Sequence, residues 1–289
     1  MTTFVGVDVA SKKFDVAVLD KENKIKNKVF TNSLQGFNDF FDWLTVHVCM
    51  EATGAYSTPL ATFLFESSIA VSVENPARIH AFAQTELTRN KTDKSDARMI
   101  ARYCRLYQPP LWQPEPLHIR QLLALVNRLD ALKEMLRMEQ NRMLVANEII
   151  MSSLQKNTES LLSQIYEIQQ NIKEHINANK ELKKSKALLT SIPGVGDILS
   201  CTFLAYIGDI SKFSNNKKLV AWVGLNPMQQ ESGLWKGHSK ISKRGNIELR
   251  KALYMPAVAA LTHNPILIAL KKSTGRKRQS AEESPVMGG

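Results

Sequence analysis

Cysteine is scarce in this chain: three residues (Cys49, Cys104 and Cys201) in 289. They are odd in number and far apart, which excludes a disulfide framework and suits no thiolate metal cluster. Reduced thiols in a cytoplasmic protein are expected. Long apolar runs are missing too. No stretch approaches the roughly 20 apolar residues of a membrane span, and the N-terminus lacks the basic, apolar, small-residue order of a signal peptide. Glycine and proline vanish between Leu117 and Ile192. Acids are in deficit, 27 against 38 Lys and Arg, for a formal charge of +11. The hydrophobic fraction of 44% suffices for one large core or two ordinary ones.

The positive charge is concentrated. Gly233 to Arg278 holds eleven Lys and Arg against the single acid Glu248, a net of +10. That pattern reads as a surface for a polyanion, most simply nucleic acid. General solubility is the weaker explanation, because one segment carries nearly all the excess.

Asn90-Lys91-Thr92-Asp93-Lys94-Ser95-Asp96-Ala97-Arg98 reads as a helix start. Thr92 or Asp93 can cap it, and Asp93 and Asp96, three apart, project from one face. A solvated first turn is the commoner meaning of such a pair. Two upstream acids sharpen the reading: Asp8 and Glu51 each lie in an apolar run, where an unpaired carboxylate is costly.

The chain around them predicts an alternating fold. Phe4–Ala10, Lys13–Leu19 and Ile25–Thr31 read as a three-strand meander. A helix over Leu34–Val46, a strand ending at Glu51, a helix near Pro59–Ser67, a strand over Ile69–Val73 and a helix near Pro76–Phe82 follow. One acid on the first strand, one at the end of the fourth and two on a late helix is the order of a ribonuclease-H-like fold. Such a cluster can hold two divalent ions about 4 Å apart that activate a nucleophile at a phosphodiester, and Mg²⁺ suits its all-oxygen donors.

Pro109, Pro110, Pro114 and Pro116 form a stiff linker. Beyond it, Leu122, Val126, Leu129, Leu132 and Leu136, then Leu161, Ile165, Ile168, Ile172 and Leu182, repeat at helical spacing. A coiled-coil hairpin serving as a dimerisation arm and two core helices of a bundle are almost equally good readings, with a break expected near Asn157-Thr158-Glu159. Ser191-Ile192-Pro193-Gly194-Val195-Gly196 before an apolar helix resembles a phosphate-contacting helical hairpin, or a plain helix-start turn. Further on, Ser232 precedes Gly233 in a loop trailed by Lys236, Lys240, Lys243, Arg244 and Arg250. A nucleophile beside a phosphate clamp fits this pattern, although loop Ser-Gly pairs are usually turns. His238 is more simply a surface histidine than a base.

Taken together, the chain resembles the DEDD transposases of insertion-sequence family one-ten, relatives of the Piv-type pilin-gene invertases that include bridge-RNA-guided recombinases. The likeness runs from Phe4 to about Leu267. It rests on Gly6-Val7-Asp8, Met50-Glu51-Ala52-Thr53-Gly54, Lys91 to Ala97, Ile192-Pro193-Gly194-Val195-Gly196, Gly224-Leu225-Asn226-Pro227, Ser232-Gly233, Ile241 to Asn246 and Leu249-Arg250.

The resemblance implies that Asp8, Glu51, Asp93 and Asp96 are the metal-binding tetrad and Ser232 the catalytic serine. It implies DNA cleavage and rejoining through a serine–DNA phosphodiester, a structured noncoding guide RNA, and a homo-oligomer, dimer or tetramer, with catalytic halves from different subunits. The expected fold is α+β: a ribonuclease-H-like (RuvC-like) catalytic domain over 1–108, a helical coiled-coil arm over 109–190, a mainly helical basic domain over 191–270 and a disordered tail over 271–289. The stretch from Gly36 to Glu51 is short for the family. After His263-Asn264-Pro265 the sequence departs from its pattern and reads as truncated or frame-shifted, which puts activity in question. A metal-only junction-resolving nuclease and a decayed, non-catalytic nucleic-acid-binding protein are the alternative readings.

Overall fold

The computed structural model describes residues 3–19, 24–43, 47–86, 93–228, 231–232, 235–236, 240–242, 245–271 and 273. The chain forms two compact units, 1–114 and 115–289.

The first unit is built on a five-stranded sheet of order β3-β2-β1-β4-β5. Strands β1 (Phe4–Val9), β2 (Lys13–Leu19) and β3 (Ile25–Thr31) form the antiparallel meander, while β4 (Val48–Glu51) and β5 (Val71–Glu74) add in parallel on the other side of β1. Parallel neighbours need crossover connections, and the helices supply them. α1 (Leu34–Phe41) and α2 (Ser57–Glu66) pack on one face of the sheet. α3 (Pro76–Thr85) and α4 (Asp93–Tyr107) pack on the other.

Strand alternation assigns every residue to a face. Val5, Val7, Val9, Phe14, Val16, Val48, Met50 and Val71 point to α1 and α2, where Phe37, Phe40, Leu60 and Leu64 close a wholly apolar core. The opposite residues point to α3 and α4. Local capping starts the helices: Ser33 Oγ accepts from the Gly36 amide at 3.4 Å, and Asn75 Oδ1 accepts from the Ala77 amide at 2.8 Å, with Pro76 in the first turn.

The second unit begins with a hairpin of two long helices, α5 (Leu117–Met143) and α6 (Glu148–Ala178). They run antiparallel: Arg128 donates to Gln164, and His175 lies 2.7 Å from the His118 carbonyl oxygen. The expected break near Asn157-Thr158-Glu159 is corrected by the structure, for those residues lie inside α6. The chain turns at 144–147 instead, where Asn147 caps α6 by accepting from the Ile149 amide at 3.1 Å. The base of the hairpin shares a core with later helices, α7 (Lys180–Thr190) and α8 (Asp197–Ile207), through Leu122, Val126, Ile172, Leu182 and Leu204. The far end exposes Leu144, Val145 and Ile149.

α9 (Asn216–Val223), which sequence patterning did not pick out, and α10 (Ile247–His263) flank four two-residue strands. Of these, β6 (Pro227–Met228) pairs with β9 (Lys240–Ile241), and β7 (Glu231–Ser232) with β8 (Trp235–Lys236). Among the described residues no single helix is long and apolar enough to cross a membrane. The remainder of the tail, 274–289, lies outside the described residues.

Candidate active site

The site grows from the register of the sheet. Asp8 on β1 pairs directly with Asp15 on β2. On the other side, Val7 pairs with Met50 in parallel, so the next residues, Asp8 and Glu51, stand level. Glu51 pairs in turn with Glu74 on β5. Paired residues point to the same face. Four carboxylates, Asp15, Asp8, Glu51 and Glu74, therefore form one row across four neighbouring strands on the α4 side. With strands about 4.8 Å apart the row spans about 14 Å.

The two ends of the row are buried and engaged. Asp15 is 4% exposed and its Oδ2 accepts from Lys13 Nζ at 3.0 Å. Glu74 is 6% exposed, and its Oε2 accepts from the Tyr103 hydroxyl at 3.2 Å and from Arg78 Nη1 at 3.4 Å. Burial, followed by the neighbouring Glu74 charge, pushes the Tyr103 phenol up, so it remains a donor. The two central acids, Asp8 and Glu51, are half-buried.

Helix α4 lies over this row because Gly6 lets it. A Cβ on Gly6 would stand 2.1 Å from the Ala97 carbonyl oxygen and 2.3 Å from the Ala101 amide nitrogen. Any side chain at this strand position would collide with helix backbone, so the approach requires glycine there. The Cys49 thiol, hydrogen-bonded to Cys104 of α4 and buried, is pushed well up and stays a thiol. Asp96 on α4 is half-buried beside Ser95 Oγ, 3.5 Å away. α4 begins at Asp93, one turn before Ala97, but the Asp93 side chain lies outside the described residues.

The structure thus brings Asp8 and Glu51 side by side and sets the helix of Asp93 and Asp96 against their face of the sheet. Among the described residues no three Asp, Glu, His or Cys groups alone make a metal cage. The donor chemistry still fits a hard divalent cation: adjacent carboxylates, oxygen only. Asp15 and Glu74 were missed in the sequence. The one available signal for Asp15 was a carboxylate on the Ala17–Leu19 side of an otherwise apolar alternation; Glu74 was hidden because the strand was read as ending at Val73.

In the second unit, Ser232 lies in β7 with Trp235 as its backbone partner, and its side chain is outside the described residues. So are the Lys236 side chain and the whole of His238, Lys243 and Arg244. Lys240 is exposed. Arg250 donates from Nη1 to the Val223 carbonyl at 2.8 Å, tying α10 to the end of α9. Gly194, in the turn before α8, has φ +96° and would press a Cβ to within 2.8 Å of Ala260 on α10. That turn is a close helix–helix contact, with the Asp197 carboxylate of α8 paired to Lys186 at 2.7 Å.

Residues 5–146, which contain this row and α4, match the model of the IS110 DEDD transposase domain. Residues 186–272 match the transposase IS116/IS110/IS902 family. The pilin gene-inverting protein of Moraxella lacunata is 36% identical over 265 residues, covering 89% of this chain and 82% of that protein. Its Moraxella bovis counterpart matches to the same extent. The transposase of insertion element IS1111A from Coxiella burnetii is 27% identical over 290 residues, covering 90% of this chain and 78% of that protein. The chain belongs to the IS110 family of transposases. Its DEDD domain points to dependence on a divalent metal ion.

Proposed function

We propose that this chain cuts and rejoins DNA strands through a covalent serine–DNA link, by transposition or by inversion of a segment. The observation that carries the reading is the side-by-side placement of Asp8 and Glu51 on the face that α4 covers. Asp8, Glu51, Asp93 and Asp96 hold the metal, Mg²⁺ and two ions. When bound, the metal neutralises charge on the phosphate and lowers the pKa of an attacking hydroxyl.

Ser232 supplies that hydroxyl. Its Oγ forms an ester bond to phosphorus while one phosphorus–oxygen bond of the DNA breaks. The serine loses a proton, the departing DNA oxygen gains one, and a phosphodiester is kept throughout. Rejoining is the same exchange in reverse with a different DNA hydroxyl. Lys236, Lys240, Lys243, Arg244 and Arg250 supply charge for phosphate contacts that hold DNA without reading its sequence. Sequence choice then rests with a structured noncoding guide RNA, and the working species is a homo-oligomer in the cytoplasm. Arg250 can contribute only through donors other than the one given to Val223.

The test is to incubate the protein with DNA of the element ends, the noncoding RNA and Mg²⁺, and to resolve the products on a denaturing gel. A protein–DNA adduct is expected. Ser232→Ala should lose adduct and cleavage together while retaining DNA and RNA binding. Normal cutting by Ser232→Ala would make water the nucleophile and the protein a metal-only nuclease.

A further inference from the structure

Glu74 and Tyr103 have no part in the chemistry just described, yet they form a buried polar contact between the carboxylate row and α4. Glu74 closes the row beside Glu51. Its carboxylate is buried and accepts the Tyr103 hydroxyl, itself 5% exposed. Tyr103 lies on the helix that begins with Asp93. The Tyr103–Glu74 contact is therefore one of those that set how the first turns of α4 lie over the strand acids.

The rest of α4's seat is mostly apolar, with the Cys49–Cys104 thiol contact within it and Arg98 Nε donating to Asn27 Oδ1 at 3.2 Å at its exposed edge. Gly6 sets how closely the helix approaches at Ala97 and Ala101. The Gly6 contact fixes separation, and the contacts on either side of it set the tilt of the helix about that point. The Asp93–Asp96 turn lies about 7 Å along the helix from the middle of the seat, at 1.5 Å per residue. A tilt of about 10° moves it by about 1 Å, enough to spoil a coordination geometry. A directional hydrogen bond on the other side of the seat resists that tilt in a way that dispersion contacts do not. Burial favours its strength.

We propose that Glu74 is a positioning residue for the metal site: its hydrogen bond from Tyr103 sets the tilt of α4 and so the placement of Asp93 and Asp96 over Asp8 and Glu51. The proposal rests on the metal-binding reading given above. Outer partners that orient carboxylate ligands typically contribute 10–100-fold in metal affinity.

The experiment uses the full-length chain and Mn²⁺ as the probe, because the free ion is counted directly by electron paramagnetic resonance. Three proteins are titrated: wild type, Tyr103→Phe and Glu74→Gln. Tyr103→Phe keeps the ring and loses the donor. Glu74→Gln loses the charge and keeps an oxygen that accepts the phenol. Melting of each without metal reports the fold.

Tyr103→Phe is expected to melt cooperatively and to bind Mn²⁺ about 10-fold more weakly, with a smaller Mn²⁺-induced rise in Tm. Glu74→Gln is expected to keep wild-type affinity. Wild-type affinity in Tyr103→Phe overturns the proposal, as does equal weakening in Glu74→Gln, which would assign the effect to charge alone. Failure of the wild type to bind Mn²⁺ is a different result, for it overturns the metal reading itself and the proposal with it.

Discussion

The two faces of the central sheet are made by the same five strands and are both covered by helices, yet they have opposite chemistry. On the α1–α2 face every buried strand residue is apolar, and Phe14, Phe30 and Phe40 meet with ring centroids 5.2–5.5 Å apart. On the α3–α4 face, one register step holds four carboxylates in line, two of them more than nine-tenths buried. A sheet covered on both sides gains most from being apolar on both. Carboxylates so placed repel one another and lose hydration. Stability alone explains the first face. Stability does not explain the second, where Lys13, Arg78 and Tyr103 offset the cost at the ends of the row.

Substitutions that treat the faces differently test this contrast. The largest loss of stability is expected from Phe40→Ala on the apolar face, where the ring is fully buried. Chemical denaturation should show a loss of about 4 kcal/mol. Any remaining folded protein should bind Mn²⁺ with unchanged affinity. Gly6→Ala, on the acidic face, should cost about 2 kcal/mol, because the added methyl meets helix backbone, which cannot rotate away. Unlike Phe40→Ala, it should also weaken Mn²⁺ binding in the protein that stays folded.

Asp8→Asn should go the other way. Removing one of two directly paired carboxylates should stabilise the metal-free protein by about 0.5 kcal/mol while abolishing strand cleavage. A gross loss of stability would make Asp8 a structural residue.

The smallest effect concerns pH. His47 precedes β4, lies 2.8 Å from Ser72 Oγ, and has its pKa lowered by burial. Between the lowered folded value and about 6.5 the unfolded chain binds the extra proton. Stability should therefore rise with pH through that window and level off above it. His47→Gln should flatten this part of the pH–stability curve, read from melts at a series of pH values.

Much of this was legible in the sequence. The meander, the alternation of later strands and helices and the positions of Asp8 and Glu51 followed from apolar periodicity and from acids standing where acids are costly. The partners of those acids did not. Asp15 and Glu74 join the row through strand pairing, which relates residues 7 and 23 positions away from Asp8 and Glu51. No local pattern encodes register between strands. The hairpin turn was misplaced for a related reason. Asn157, Thr158 and Glu159 are only mildly unfavourable within a helix, and the packing of Ile165 and Ile168 in the core shared with α5 outweighs them. Asn147 acts through a specific cap, which neighbouring asparagines in the sequence disguise.

The flat contact of Gly6 with Ala97 and Ala101 also makes the chain intolerant of changes in length at one place. A helix turns about 100° per residue. One residue inserted between Asp96 and Ala97 would leave the alanines seated on Gly6 and swing both aspartates round to another side of the helix. The same insertion after Tyr107, beyond the seat, would leave the phase of every α4 residue unchanged. The spacing of the Asp93-x-x-Asp96-Ala97-x-x-x-Ala101 run is in this sense a reading frame of its own: its meaning lies in the angle at which each side chain leaves the helix, and it is lost by a shift of one.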